Sequence, residues 1–335
     1  MIKSDKQIMT TKSTKEYSLV SLFAGCGGLD LGFRGDFKVF GKKFSKRNFD
    51  LSWANDFDKS ACITFEKNFK KPIVCDDIVE ILKGNYSDLF SKKMPEKADV
   101  VIGGFPCQDF SLAGKRKGFG GKRGLLYQSM VETVKRLRPA IFIAENVKGL
   151  LSMDGGKAIE TIKKDFAELD YDVEYKLFHV ADFGVPENRE RVIIVGTDKK
   201  RKLSKFIFPN PVNTQNERMK LFEAIGDLEN LPEGAVANHF WSKAKFFPNT
   251  QGNSYTDKDK IGPTMRAEHH GNIEFHWNKK RRLSAREAGR IQSFPDDFIF
   301  YPATSSAYKQ IGNAVPPVFG WYIAEAVENY LNKNL

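Results

Sequence analysis

The sequence predicts an α/β protein with a doubly wound, mostly parallel sheet and a smaller, irregular region late in the chain. Three observations lead to this prediction. Apolar, β-branched runs alternate with amphipathic helical stretches as far as residue 205. A glycine-rich turn at residues 24–28 joins the first of these runs to a helix. From residue 206 to 276 the alternation is lost, and the chain becomes rich in Asn, Pro and aromatic residues.

The composition is typical of a globular protein. The chain has 335 residues, of which 41% are hydrophobic and 28% are charged. That length allows one large core, or a core and a smaller domain. No apolar run reaches transmembrane length. Residues 1–16 are rich in Lys, Ser and Thr and lack the apolar stretch of a signal peptide, so we expect a disordered N-terminal tail and a cytoplasmic location.

The chain is strongly basic, with a formal net charge of +11. Basic residues cluster at 42–47, 115–123, 199–205 and 279–282. Each cluster alone is typical of a solvated surface, but the four together favour a polyanionic partner such as DNA or RNA. The four cysteines form no C-x-x-C pair and accompany no His-rich cluster, so we expect reduced thiols and no metal site.

The first strand is predicted at residues 17–23 and leads through the glycine turn into a helix that starts at Leu29. In doubly wound folds this unit cradles a nucleotide, because glycines let the backbone approach the ligand and the helix amides face it. The glycines do not follow the G-x-G-x-x-G spacing of dinucleotide sites. This spacing argues against a nicotinamide-dependent dehydrogenase.

The next predicted elements are an exposed Lys-rich loop at 34–50, a strand at 51–54, a helix at 59–69, a strand at 72–75 and a helix at 78–90. The second strand ends at Asp56, and in such folds an acidic residue at this point holds the ribose hydroxyls of a nucleotide. Asp56 or Asp58 could equally cap the helix that follows.

The fourth strand, at residues 100–103, is followed by Gly104-Phe105-Pro106-Cys107. A cysteine placed after a strand and fixed by proline is one way in which a fold displays a nucleophile. The alternative is a small buried thiol that packs as a hydrophobe. Residues 114–124 contain five glycines and five basic residues, which suits either a basic loop that closes on a polyanion or an idle surface loop.

A helix at 125–137 and a strand at 140–144 lead to Glu145. This carboxylate either caps the next helix or faces an active site, because it ends a strand at the same predicted sheet edge as Cys107.

Two further strands are predicted at 171–180 and 192–196. Just before the second, Arg189 and Arg191 point to one face if the segment is extended. They could instead simply pair with neighbouring glutamates.

The irregular residues 206–276 form either a small domain suited to surface recognition or long loops that decorate the first domain. Helical periodicity returns at 283–292, where Ser284 and Glu287 have the spacing of a capping box. A closing helix at 318–331 is expected to rejoin the first domain.

Six segments in this order resemble the motifs of the cytosine-C5 DNA methyltransferases, of the bacterial restriction-modification type. They are Phe23-Ala24-Gly25-Cys26-Gly27-Gly28, Gly104-Phe105-Pro106-Cys107-Gln108, Glu145-Asn146-Val147, Arg189-Glu190-Arg191, Arg282-Leu283-Ser284-Ala285-Arg286-Glu287 and Gln310-Ile311-Gly312-Asn313-Ala314-Val315. One such match is modest evidence, but six in family order, with a variable region between the fourth and fifth, are very specific.

The resemblance implies a Rossmann-like, S-adenosylmethionine-dependent catalytic domain at residues 17–205, a target-recognition domain at 206–280 and a return to the catalytic domain at 281–335. DNA would lie in the cleft between the two domains. The residues implied to bind the cofactor are Phe23, Gly25, Cys26, Gly28, Asp56, Phe57, Asp77, Ile78, Gly104, Pro106, Leu126, Asn313 and Ala314.

The implied catalytic residues are Cys107, Glu145, Arg189 and Arg191, and no metal is implied. Cys107 would add to C6 of cytosine so that C5 can accept the methyl group. Glu145 would hold cytosine N3, Arg191 would hold O2, and Arg189 would position the target nucleotide or order the site.

A cytosine within a duplex must be flipped out to reach Cys107, so the implied partner is double-stranded DNA. The residues implied to contact DNA are Gln108, Ser111, Lys115, Arg116, Lys117, Lys122, Arg123 and Thr264. We expect a monomer, and a restriction endonuclease that acts on the same site as a further partner.

The chain departs from the family pattern at Glu187, where the family usually has Gln. A carboxylate here would weaken DNA binding if it faced phosphates, or would pair with Arg189. Two alternatives stay open: a tRNA-directed enzyme with the same catalytic residues, and a catalytically silent DNA-binding regulator.

Overall fold

The computed structural model describes residues 15–87, 92–106, 125–250, 252–267, 273–302 and 304–335. The strands in these ranges are β1 (Tyr17–Leu22), β2 (Phe37–Val39), β3 (Lys42–Phe44), β4 (Phe49–Asp56), β5 (Val74–Cys75), β6 (Val100–Gly103), β7 (Ile141–Val147), β8 (Tyr171–His179) and β9 (Glu190–Asp198). The helices are α1 (Gly28–Arg34), α2 (Lys59–Phe69), α3 (Ile78–Leu82), α4 (Leu125–Leu137), α5 (Lys157–Ala167), α6 (Leu221–Ile225), α7 (Ala285–Ile291), α8 (Thr304–Asn313) and α9 (Pro317–Asn334). Within the same ranges, no helix is long and apolar enough to cross a membrane.

A seven-stranded sheet, in the order β5-β4-β1-β6-β7-β9-β8, forms the centre of the molecule. Strands β5, β4, β1, β6 and β7 run parallel to their neighbours, and β9 pairs antiparallel with both β7 and β8. The central strands are apolar on both faces because helices cover both sides of the sheet. This topology confirms the predicted doubly wound α/β fold.

Each face of the sheet packs against its own set of helices. Residues such as Leu19, Ile102 and Ile143 share a buried cluster with apolar side chains of α1 and α9. Their neighbours along the strands, such as Val101 and Phe142, pack instead with α4 and α5. Alternate residues of a strand point to opposite faces, so the apolar runs supply both cores.

The predicted exposed loop at residues 34–50 is wrong in part. It contains the antiparallel hairpin β2–β3, in which Phe37, Val39 and Phe44 are buried. The ring of Phe44 lies edge-on to Trp321 of α9, with 5.4 Å between the ring centroids. Apolar residues at alternate positions drive this hairpin, but three residues a strand are too few to stand out among the lysines.

The predicted helix at 78–90 is also too long. Helix α3 ends at Leu82, and the chain turns at Gly84, whose φ of 88° an α-helix cannot accommodate. A glycine with positive φ is a common way to end a helix.

Residues 206–280 contain little regular structure in their described parts, where α6 is accompanied by short 3₁₀ turns and isolated bridges. Much of this region is organised by the guanidinium of Arg282, which is 1% exposed. It donates hydrogen bonds to the carbonyl oxygens of Ala244, Lys245 and Gly252, each at 2.9 Å. The buried arginine thus supplies hydrogen-bond donors to backbone carbonyl groups that have no partner strand.

Candidate active site

The candidate site lies where the carboxyl ends of parallel strands meet. The glycine turn follows β1, Asp56 ends β4, Gly104 follows β6, and Glu145 lies near the end of β7. In open α/β sheets ligands bind at this edge. Pro106 is the last described residue before the gap at 107–124. Cys107, Gln108, Ser111, Lys115, Arg116, Lys117, Lys122 and Arg123 therefore lie outside the described residues, and their predicted roles stay predictions.

Glu145 and Arg191 form an ion pair at this edge. Nε of Arg191 is 2.7 Å from Oε1 of Glu145, and both side chains are 12% exposed. The antiparallel pairing sets Arg191 opposite Val147 and Glu145 opposite Ile193, so the two side chains are diagonal neighbours on one face. Burial, and then the neighbouring Arg189, lower the pKa of Arg191 to about 10, while Glu145 opposes this change. Arg191 therefore stays protonated at neutral pH.

The turn at residues 104–106, which precedes Cys107, packs against the same ion pair. A Cβ atom on Gly104 would lie 3.1 Å from Oε2 of Glu145, so the glycine lets this turn approach the carboxylate closely. Nδ2 of the buried Asn146 donates a hydrogen bond of 2.9 Å to the carbonyl oxygen of Phe105. The ring of Phe105 also packs on Tyr127, with 5.3 Å between the centroids. Glu145 and the approach to Cys107 are thereby fixed relative to each other.

Arg189 does not share the exposure of Arg191, because its side chain is 1% exposed. Its Nη atoms donate hydrogen bonds to the carbonyl oxygens of Met265 at 2.9 Å, Gly312 at 2.9 Å and Ala314 at 3.0 Å. Contact with a nucleotide would require these bonds to break. Of the two roles expected for Arg189, this geometry favours ordering the site, and its grouping with the catalytic residues stays a prediction.

Glu187, the departure from the family pattern, is fully buried and faces Arg189 rather than solvent. Its Oε1 accepts hydrogen bonds from the backbone N–H of Met265 at 2.7 Å and from Nη1 of Arg189 at 3.3 Å. Burial raises the pKa of Glu187, while Arg189 opposes the rise. In this position the carboxylate cannot repel DNA phosphates directly.

At the other end of the edge, Asp56 joins β4 to the glycine turn. Its Oδ2 accepts a hydrogen bond of 2.7 Å from the N–H of Gly25, and its Oδ1 accepts one of 2.8 Å from Asp58. Asp58, and not Asp56, caps α2, because its carboxylate accepts from the N–H groups of Ser60 and Ala61. Asp56 is therefore free of the capping role, and the adjacent Phe57 is 70% exposed.

The glycine turn has the shape of a ligand cradle. Gly25 adopts a φ of 57°, and a Cβ atom there would meet nothing within 4 Å, so this backbone faces open space. The Cys26 side chain points away from that space, because its thiol is buried and donates to the carbonyl oxygen of Gln310 at 3.8 Å. Burial raises the pKa of Cys26. Any contact of Cys26 with a ligand is thus a backbone contact, and Phe23, which precedes Gly25, is half-buried beside it.

The other residues predicted for the cofactor site are distributed around the same edge. Asp77 is exposed and caps α3 through the N–H of Val79, at 2.9 Å, whereas the neighbouring Ile78 is buried. Exposed or half-buried positions are held by Pro106, Leu126 and Asn313, and Gly28 and Ala314 are buried. Among the described residues, no group of three or more His, Cys, Asp or Glu side chains could hold a metal ion.

A family model described as C-5 cytosine-specific DNA methylase matches residues 17–262 and 249–329. The chain belongs to this family. Two curated relatives align with this chain over most of its length and most of their own. The type II methyltransferase M.NgoFVII of Neisseria gonorrhoeae is 37% identical over 93% of this chain and 87% of its own length. M.FnuDI of Fusobacterium nucleatum is 35% identical over 93% of this chain and 94% of its own.

The fold of this DNA methylase also resembles a solved structure. The Schizosaccharomyces pombe Dnmt2 methyltransferase superimposes with a TM-score of 0.65, over 94% of this chain and 99% of the other, at 15% identity. At that identity the likeness concerns the fold alone. It supports the predicted Rossmann-like methyltransferase fold.

Two residues near the sheet edge were not singled out from the sequence. Asn146 was part of a motif, but its bond to Phe105 depends on the packing of β7 against the turn after β6. Asp30, in the first turn of α1, is 2% exposed. An acidic residue directly after a glycine turn was the signal for Asp30, but only the structure shows that it is buried.

Proposed function

We propose that this DNA cytosine-C5 methyltransferase modifies a cytosine flipped out of a specific duplex site, with S-adenosylmethionine as methyl donor, in a restriction-modification system. The observation that carries the proposal is the Glu145–Arg191 pair beside the turn that leads into Cys107. The two curated relatives are both named type II methyltransferases.

The residue types suit the chemistry of this reaction. Cytosine C5 is a weak nucleophile, so the Cys107 thiolate would add to C6 and move electron density to C5. S-adenosylmethionine, when bound, supplies a methyl group on a positively charged sulfur. Cytosine C5 would bond to the methyl carbon as the methyl–sulfur bond breaks and S-adenosylhomocysteine is left, the C5 proton would then pass to a base, and the Cys107 thiolate would be eliminated.

Glu145 and Arg191 would act on the opposite edge of the flipped base. Glu145 would hold N3 and donate or share a proton there as the ring gains charge. Arg191, held by Glu145 at 2.7 Å, would place its remaining N–H donors at O2. The pair is mostly buried, so these interactions would act with little competition from water.

The edge beside β1 and β4 fits the cofactor. The Asp56 oxygens accept backbone hydrogen bonds, among them those from Gly25 and Asp58, and retain lone-pair capacity that could accept from a ribose hydroxyl. Phe57 would stack on adenine, which accounts for a large aromatic side chain that is 70% exposed. Gly25, Gly28 and the backbone of Cys26 would cradle the methionine end, and Phe23, Asp77, Ile78, Gly104, Pro106, Leu126, Asn313 and Ala314 would complete the pocket.

The duplex would lie between the sheet edge and the recognition region at 206–280. Thr264 lies in the segment bound to the turn that precedes Arg189, with its hydroxyl donating to the carbonyl oxygen of Asn188. The basic residues of 115–123, with Gln108 and Ser111, would close over the flipped base. We further propose that the enzyme acts as a cytoplasmic monomer, since all these parts belong to one chain, and that an endonuclease cuts the same site when it is unmethylated.

Transfer of labelled methyl groups from S-adenosylmethionine to duplex DNA, with tRNA assayed in parallel, tests the proposal. We expect transfer to duplex DNA, and bisulfite sequencing should locate the product at one cytosine of a short recurring site. Preference for tRNA would establish the RNA-directed alternative. Duplex binding without transfer to either substrate would establish the silent regulator.

A further inference from the structure

We propose that Glu187 and Arg189 form a buried joint between the DNA-facing segment 262–266 and the cofactor-facing segment 312–314, so that binding of one ligand favours binding of the other. This inference rests on the proposed function, because that function assigns Thr264 to the duplex and Asn313 and Ala314 to the cofactor. Glu187 and Arg189 are positioning residues in this account, since neither touches a substrate.

Arg189 connects the two segments through one planar group. Its Nη1 donates to the Met265 carbonyl and its Nη2 to the carbonyls of Gly312 and Ala314, all at 2.9–3.0 Å. Asn313 lies between the two carbonyls that share Nη2. A shift of the cofactor-lining segment therefore moves the acceptors of the same guanidinium that holds Met265, the residue after Thr264.

Glu187 supplies the second half of the joint. Its Oε1 accepts from the N–H of Met265 at 2.7 Å, so Met265 is held at both its N–H and its carbonyl group. The backbone adds a short bridge, in which Gly262 donates to Pro186 at 2.8 Å and Asn188 donates to Gly262 at 2.7 Å. The DNA-facing segment is thus fixed along its length to the turn that precedes Arg189 and Arg191.

The two segments also touch directly. A Cβ atom on Gly312 would collide with the backbone of Arg266 and Ala267, so the glycine allows main chain to pack on main chain. Water has almost no access to this pair, because Glu187 as a whole residue is 0% exposed and Arg189 is 2% exposed. An ion pair buried in this way is little screened by salt. The pair also adjoins the catalytic face, because charge on both Glu187 and Arg189 acts on Arg191.

These hydrogen bonds would couple cofactor binding to duplex binding. A cofactor that orders Asn313 and Ala314 also orders the carbonyls that hold Arg189, and through Arg189 it orders Met265 and Thr264. A duplex that binds next pays less ordering entropy than it would without the cofactor. Linkage requires the duplex to raise cofactor affinity by the same factor.

The test measures duplex affinity by fluorescence anisotropy with and without saturating S-adenosylhomocysteine, and the affinity of that probe with and without duplex. For the wild type we expect both ratios to agree at about five-fold or more. Arg189→Met should reduce the ratio to about one, because the methionine bonds to none of the three carbonyls. Glu187→Gln should retain the ratio, since an amide oxygen can accept from the same two donors.

Arg47→Met is the matched control. Arg47 also forms a largely buried ion pair, 3.2 Å from Glu328 on α9, and its side chain is 11% exposed. Its loss should lower thermal stability and leave the coupling ratio unchanged. If Arg189→Met does not fold, Arg189→Lys replaces it and should reduce the ratio, because one ammonium cannot reach all three carbonyls.

A wild-type ratio of one, an unchanged ratio in folded Arg189 variants, or an equal loss in Arg47→Met would overturn the proposed joint. Failure of the proposed function gives a separate signal, namely no methyl transfer to duplex by the wild type. An enzyme that transfers methyl groups but shows no coupling refutes this inference alone.

Discussion

Replacing Asp30 with Asn should stabilise the protein, and the gain should grow with pH. Asp30 lies two residues after the glycine turn, in the first turn of α1, and is 2% exposed. Burial raises its pKa to about 7 from an ordinary 3.8; the Ser21 side chain opposes this rise, and the Asp56 charge adds to it. A buried carboxylate without a cation is stable only when it carries its proton.

The magnitude follows from the separation of the two pKa values. Below about pH 4 both the folded and the unfolded chain hold the proton, and Asp30 costs nothing. Between that pH and about 7 the unfolded chain releases the proton while the folded chain keeps it, so the free energy of unfolding falls as pH rises. At about 1.4 kcal/mol for each pH unit between 3.8 and about 7, the full cost above pH 7 is roughly 4 kcal/mol. Asn carries no such cost.

Urea unfolding of wild type and Asp30→Asn at several pH values measures this difference. At pH 8 we expect the variant to be more stable by about 2–4 kcal/mol, and at pH 4 by less than about 1 kcal/mol. Asp259→Asn, at an exposed position, should change stability by less than about 0.5 kcal/mol at both pH values. An equal effect of Asp30→Asn at pH 4 and pH 8, or a loss at pH 8, would show that burial of the Asp30 carboxylate does not carry this cost.

Three further substitutions separate the parts of the site. Phe57→Ala should raise KM for S-adenosylmethionine about ten-fold with little change in Tm, because the ring is 70% exposed; an unchanged KM would remove Phe57 from the pocket. Glu145→Gln should lower the single-turnover rate by about 10²–10³-fold with cofactor affinity preserved, since an amide cannot supply a proton to N3; a rate near wild type would exclude that role. Asn146→Ala should lower kcat about ten-fold without changing KM for the cofactor, because the bond that holds the carbonyl of Phe105 is lost; a change in KM alone would place Asn146 elsewhere.

The parts of the fold that follow local rules were predicted from the sequence. The apolar runs of β1, β6, β7 and β9 are buried on both faces, so they are long and β-branched enough to be recognised. The hairpin β2–β3 was missed, because its few apolar residues become buried only when Trp321, far along the chain, packs on them. The predicted helix extends past α3 because the sequence pattern does not mark Gly84 as the residue at which the chain turns.

In the candidate site, too, the features that depend on neighbouring residues could be predicted, and those that depend on distant residues could not. The placement of Asp56 and Glu145 at strand ends depends on neighbouring residues and could be predicted, whereas the sequence left the cap of α2 open between Asp56 and Asp58. The position of Arg189 could not, since its acceptors lie at Met265, Gly312 and Ala314, and no local pattern links these residues to β9. The burial of Glu187 beside Arg189 has the same origin.

Covalent trapping tests the central claim most directly. Duplex DNA that carries 5-fluorocytosine in the recognised site should form an adduct with the wild-type enzyme and S-adenosylmethionine, because fluorine cannot leave C5 as a proton does. We expect the adduct to survive denaturation and to be absent with Cys107→Ala, which should also lose methyl transfer while it keeps S-adenosylmethionine binding. Methyl transfer by Cys107→Ala at the wild-type rate, or an adduct on another residue, would contradict the account.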